Sequence, residues 1–207
     1  MKQQKIKRAI NIIILSITLL ISACVTNKYI PIKKRIIEFD TLTLSDVLES
    51  EKRTGSKDIT PNHLIGIGEG IYPNKHKFIL NTPRTFKIKE LPSLELETEY
   101  FYTKNDSSVK VILYQWDYLK NEELENQKRD RLTEKVEVFQ DKFHKLRKEL
   151  TNELGLPVHN NIEQNNISSG TFRDGIKWKS SNGLNAYLFM FGNNNGYRQI
   201  RLAIYKE

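Results

Sequence analysis

Residues 41–207 predict an α+β domain: two layers, with an antiparallel β-sheet of two meanders packed against one long helix. Three observations carry this expectation. In LPSLELETEYFY, Leu94, Leu96, Thr98, Tyr100 and Tyr102 take every second position, with Glu95, Glu97 and Glu99 between them. Such alternation is that of a strand with one buried and one wet face. From about residue 121 to 153 the period lengthens, and Leu132, Val136, Phe139, Phe143, Leu146 and Leu150 recur three and four apart as a helical stripe. Beyond the helix come three further strand-like runs, of which LNAYLFMF is nearly all apolar.

The elements follow in chain order. TLSDVLESEKR predicts a short helix with Ser45 as its N-cap. Phe86 and Ile88 alternate with Lys87 and Lys89 in the first strand of a meander. LPSLELETEYFY is the second, KNDSS turns the chain, and VKVILYQW (109–116) is a mostly buried third. The long helix carries opposite charges at helix spacing, Glu125/Arg129 and Asp141/Lys145, on its wet faces. Gly155 supplies a left-handed cap and Pro157 prevents continuation. The heptad-like spacing also suits a coiled-coil partner, but strands on both sides make the chain's own sheet the expected cover. An asparagine-rich loop spans 158–170. Then come TFRDGIKWK, an Asn182-Gly183 hairpin turn, LNAYLFMF, the GNNNG turn, and YRQIRLAIY with Ile200, Leu202 and Ile204 inward. No repeat of 20–50 residues is evident.

The first forty residues read differently. Lys2, Lys5, Lys7 and Arg8 open the chain without an acid, and AINIIILSITLLISA (9–23) follows without a charge. A basic start, an apolar run and small residues before a break describe a secretory signal peptide. The run is shorter than the roughly 20 residues of a spanning helix. Ile21-Ser22-Ala23-Cys24 resembles the lipobox of bacterial lipoproteins: aliphatic, small, small, cysteine. The resemblance covers residues 1–24 alone. It implies that the Cys24 thiol takes a diacylglycerol, that residues 1–23 are cut away, and that the new α-amine is acylated as well. Each methylene buried in lipid contributes about 0.8 kcal/mol, so two or more chains make a lasting anchor. It also implies a location. Val25 stands where aspartate marks inner-membrane retention, which favours the outer membrane; in a host with one membrane the domain would sit on the outer cell face. The expected layout is signal peptide 1–23, lipidated N-terminus and tether 24–40, and a single domain 41–207. Lys33, Lys34 and Arg35 are expected near the lipid.

Composition narrows the function classes. The chain has 33 basic and 25 acidic residues, net +8; without the four basic residues of the signal the balance is 29 against 25. That interspersed balance argues against a nucleic-acid partner. Cys24 is the only cysteine, and no thiol remains beyond this lipidated one, so disulfides, thiolate metal sites and thiol catalysis are excluded.

No catalytic template fits. Gly66, Gly68 and Gly70 in HLIGIGEGIYP lack the helix start and Lys-Ser/Thr of a phosphate loop, and read as an irregular loop. Among His63, His76, His144 and His159, only His144 has carboxylates at helix spacing, Asp141 and Glu137, and these fall on a charged face expected to be solvated. Ser168-Ser169-Gly170 sits in a polar loop without partners for a nucleophile. Glu95, Glu97 and Glu99 form a row on the wet strand face. An aromatic set, Tyr100, Phe101, Tyr102, Tyr114 and Trp116 with Trp178, Tyr187, Phe189 and Phe191, reads mainly as core and otherwise as a ligand or peptide groove. No cofactor, metal or catalytic residue is expected. The expectation is a lipid-anchored cell-envelope protein of non-catalytic binding or structural role, whose partners are the membrane and an envelope protein or peptide. The alternatives are an envelope hydrolase without a local motif, with Asp141 and His144 as participants, and an immunity or inhibitor lipoprotein.

Overall fold

A computed structural model describes residues 29–73, 77–119, 128–162 and 170–206, the side chains of 128–133 excepted. Cys24 and the whole signal segment lie outside the described residues.

The N-terminal part of the domain is helical sooner than its sequence pattern suggests. Pro31 precedes helix α1 (Ile32–Glu38), which runs into a 3-10 turn (Phe39–Thr41). Ile32 and Phe39 are buried together with Leu42, so two residues expected as tether belong to the core. Arg35, expected beside the lipid, is 1% exposed. Helix α2 (Leu44–Thr54) starts at Thr43, not at Ser45. Thr43 and Asp46 form a reciprocal capping box, satisfying two backbone donors that a helix start leaves free. Gly55, at φ 74°, ends it in the left-handed conformation.

Eight strands follow: β1 (Lys57–Asp58), β2 (Arg84–Lys89), β3 (Leu94–Tyr102), β4 (Val109–Tyr118), β5 (His159–Asn161), β6 (Thr171–Lys179), β7 (Leu184–Asn193) and β8 (Arg198–Lys206). Between β4 and β5 lies helix α3 (Lys128–Leu154), with Gly155 beyond it at φ 88°. All the pairings are antiparallel, and the spatial order is β1-β2-β3-β4-β8-β7-β6-β5. The α+β class stands. The finer expectation of two meanders on one long helix does not describe the molecule well: among the described residues there is one continuous sheet, and three α-helices accompany it. The joint is the β4–β8 pair, Val111↔Tyr205 through Trp116↔Ile200. Those strands are far apart in sequence, and no local pattern announces that they meet.

The order is palindromic about that joint. Phe86 pairs with Thr98 and Ile176 with Leu188, so the β2–β3 and β6–β7 hairpins share one register at an offset of 90 residues. FKIKELPSL (86–94) lies in the place of IKWKSSNGL (176–184). Helix α2 packs on β3 in the first half, and α3 on β6, β7 and β8 in the second.

The face under the helices holds the main core. Phe139, Phe143, Leu146 and Leu150 of α3 meet Trp116, Trp178, Leu188, Met190, Ile200 and Leu202. Val136, on the expected stripe, is half-buried, and Leu132 lies outside the described side chains. The opposite face is covered over part of its area by Ile67, Ile71, Phe78 and Leu80 and by Tyr72, which is wholly buried and stands edge-on to Tyr205 at 5.5 Å.

Candidate functional site

Strand alternation sends the aromatic set to both sides of the sheet. Tyr100, Tyr114, Trp116 and Trp178 enter the core under the helices, whereas Phe101, Tyr187, Phe189 and Phe191 lie on the other face. They do not line one groove. On the outer face Tyr187, Phe189, Phe191 and Tyr197 form a ladder with successive centroids 4.8, 6.2 and 6.0 Å apart. Arg173 lies 5.1 Å over Phe189 and donates to the Tyr187 hydroxyl at 3.0 Å, while Lys177 lies 4.7 Å over Tyr187. These cations cover Tyr187 and Phe189, which are buried, while Phe191 is half-buried and Tyr197 exposed.

The glutamate row is on this face too. Lys87 bridges Glu95 at 2.9 Å and Glu97 at 3.7 Å. Glu99 is raised above the ordinary carboxylate range, first by burial and then by the Glu97 charge, against the pull of Arg201. Arg201 Nη2 donates to Gln115 at 2.6 Å.

The glycine segment is a loop. The backbone N–H groups of Ile71 and Tyr72 both donate to the Gly68 carbonyl, at 3.0 Å each, and among the described residues of this segment none begins a helix. Beneath this loop lies an open groove of about 290 Å³, lined by Leu64, Ile67, Phe78, Leu80, Asn81 and Phe101. Leu64 is 82% exposed and Ile79 72%. Lys77 and Lys110 stand 5.7 and 4.8 Å from the Phe78 ring, so the apolar groove has a basic rim.

Two buried polar clusters lie under the helices. In the first, Arg35 Nη2 donates to Ser50 Oγ at 2.6 Å and to the Tyr100 hydroxyl at 3.3 Å; that hydroxyl donates to Glu51 Oε1 at 2.5 Å. Burial holds the Tyr100 phenol well above its ordinary range. In the second, Glu90, in the turn after β2, receives Lys142 Nζ on Oε1 at 2.5 Å and Trp116 Nε1 on Oε2. The lysine and glutamate side chains are 4% and 3% exposed. The ammonium also sits 4.7 Å from the Trp116 ring and 5.4 Å from the Tyr29 ring, between two π faces. Tyr29 is pushed up to about 12, mainly by burial, then by the charges of Glu90 and Glu149 and its hydrogen bond to Glu90. Both carboxylate oxygens are occupied, so the cluster works as a clasp that holds the entering chain at Tyr29. A cavity of about 10 Å³, room for one water, lies beside it among Tyr29, Glu51, Tyr100 and Tyr114.

Of this clasp the sequence reading names only Trp116, as a member of the aromatic set, and not Tyr29, Glu90 or Lys142. A signal existed, because Lys142 sits on the edge of the α3 stripe beside Phe143, where lysine requires a partner, and a buried indole N–H requires an acceptor.

The other expected positions are apart from these features. His63, His144 and His159 are exposed, as are Glu137 and Asp141; His76 and Ser168-Ser169 lie outside the described residues. His144 borders a shallow cleft of about 260 Å³ with Arg147, Lys148 and Leu156. Among the described residues no three His, Cys, Asp or Glu are grouped to hold a metal, and no helix is long and apolar enough to cross a membrane. No family model, curated protein or solved structure matches the chain.

Proposed function

We propose that the protein is a lipid-anchored component of the cell envelope whose folded domain binds a partner rather than transforming a substrate. The observation that carries this reading is the run closing in Ile21-Ser22-Ala23-Cys24 behind a basic, acid-free start. The thiol of Cys24 would be spent in a thioether to diacylglycerol, and the domain would begin a few residues later. Supporting the binding role is the groove lined by Leu64, Ile67, Phe78, Leu80 and Phe101, with Lys77 and Lys110 at its rim. An exposed apolar concavity with a few polar groups at its edge suits an apolar side chain flanked by acidic residues, as an envelope protein or peptide presents.

Metabolic labelling with an alkyne fatty acid tests the anchor. The wild-type chain is expected to label and to partition with membranes, and Cys24→Ser to do neither. Equal labelling of the two refutes the reading.

A further inference from the structure

We propose that the turn joining β2 to β3, with the neighbouring flank of α3, is the face that rests on the lipid bilayer. Leu91 and Pro92 would sit at headgroup level, and Lys89 and Lys145 would face anionic phosphates. The inference rests on the lipid-anchor reading above and adds an orientation to it.

The leash is short. Four residues, Val25 to Lys28, lie between Cys24 and Tyr29. Fully extended, a chain spans about 3.3–3.6 Å per residue, so five steps keep the Cα of Cys24 within about 18 Å of the Cα of Tyr29. A domain of this size has a radius of gyration of about 16 Å, and hence a diameter of about 40 Å. The leash is shorter than the domain, and only the end that carries Tyr29 can reach the membrane.

This end is also fixed. Tyr29 is hydrogen-bonded to Glu90 and stacked at 5.4 Å on Lys142, which is itself held by Glu90. The leash therefore leaves the domain beside the β2–β3 turn, on the helix-bearing side of the sheet. The groove by Leu64 belongs to the opposite face and is left open to a partner.

The chemistry of the turn fits a headgroup layer. Leu91 is 42% exposed, Pro92 is exposed next to it, and Lys89, next to Glu90, and Lys145, three residues after Lys142, are exposed. Glu90, the acid within the turn, is neutralised inward by Lys142. Glu153 is engaged by Lys33 at 2.8 Å, and Glu149 accepts the Lys33 backbone N–H at 3.2 Å. Glu95, across the strand pair from Lys89, is bridged by Lys87 at 2.9 Å, and on the flank of α3 the exposed Asp141 is outnumbered by exposed Lys145 and Lys148. The turn and this flank therefore present an apolar tip and a net positive charge, the combination that settles into a headgroup layer carrying negative charge.

The test uses the full lipidated chain in phosphatidylcholine vesicles containing phosphatidylglycerol. Because lipid consumes the Cys24 thiol, Leu91→Cys and Leu64→Cys each offer a single free thiol for a bimane label. Doxyl-labelled lipid is expected to quench bimane at 91 several-fold more than at 64, and Lys89→Glu with Lys145→Glu to reduce that quenching. Mass spectrometry of the same preparations reports the state of Cys24. A lipidated chain quenched equally at both sites, or more at 64, overturns this orientation alone. An unmodified Cys24 overturns the anchor and the orientation together. Self-quenching between copies labelled at 91, without quenching by lipid, replaces the bilayer with a second copy of the chain and also overturns the proposal.

Discussion

Replacing Lys142 by methionine removes the cation that faces the Glu90 carboxylate inside the clasp. Both side chains are almost fully buried, at 4% and 3% exposure, so solvent cannot take the lost partner's place. Breaking a buried pair on one side costs about 3–5 kcal/mol, because a charge is left uncompensated. Glu90 keeps the indole N–H of Trp116 and the Tyr29 hydroxyl as donors, which places the cost near the lower limit, about 3 kcal/mol. Glu90→Gln strands the ammonium between the Trp116 and Tyr29 rings and is expected to cost a similar amount, roughly 3 kcal/mol. The double variant carries neither charge. Its amide oxygen still accepts from Trp116, and methionine fills the lysine stem's volume. It should therefore recover about 2–3 kcal/mol of the summed loss. Urea unfolding followed by circular dichroism, on the chain from residue 24 onward with Cys24→Ser, reads all four corners of this cycle. Each single variant should lower Tm by about 6–12 °C, at roughly 2–4 °C per kcal/mol. Single losses under about 1 kcal/mol, or a double variant equal to their sum, would show that the clasp is not a coupled buried pair.

Two further perturbations address other parts of the molecule. At Gly192 a Cβ would meet the Tyr197 carbonyl oxygen at 2.3 Å and Phe172 at 2.8 Å, whereas at Gly66 it would meet nothing within 4 Å. Gly192→Ala should therefore cost about 1–3 kcal/mol by overpacking and Gly66→Ala almost nothing, and equal melting temperatures would contradict the hairpin geometry. Glu99→Gln should raise Tm at pH 7. Its carboxyl is raised in the folded state, so stability is fully present below the ordinary value, about 4.3, and falls as pH rises through the folded value. The gain of the glutamine variant should vanish in acid; a gain independent of pH would assign it to something other than the charge.

The legibility of the fold follows the range of the interactions. β3 and α3 were readable because each buries one face of a single continuous segment, and burial stamps its period of two or 3.6 on adjacent residues. The start of α2 was misplaced by two residues because Ser45 and Thr43 both have capping side chains, and only the reach of Asp46 back to Thr43 chooses between them. Arg35 looked like a surface lysine-run member. Ser50, Tyr100 and Glu51 make its burial tolerable, and they come from other elements. The aromatic set failed as one groove because register, set by pairing across the sheet, sends neighbouring rings to opposite faces.

By itself the sequence determined the α+β class, the long helix and its end at Gly155, and the single cysteine at the close of an apolar run. These are local properties, written in side-chain period, φ preference and residue chemistry. Only the tertiary structure decided that β4 and β8 join the strands into one sheet, that α1 belongs to the core, and that Tyr29, Glu90, Trp116 and Lys142 form a clasp. Each of these depends on groups distant in sequence meeting where water is excluded. There a hydrogen bond or charge pair that would count for little on the surface becomes obligatory.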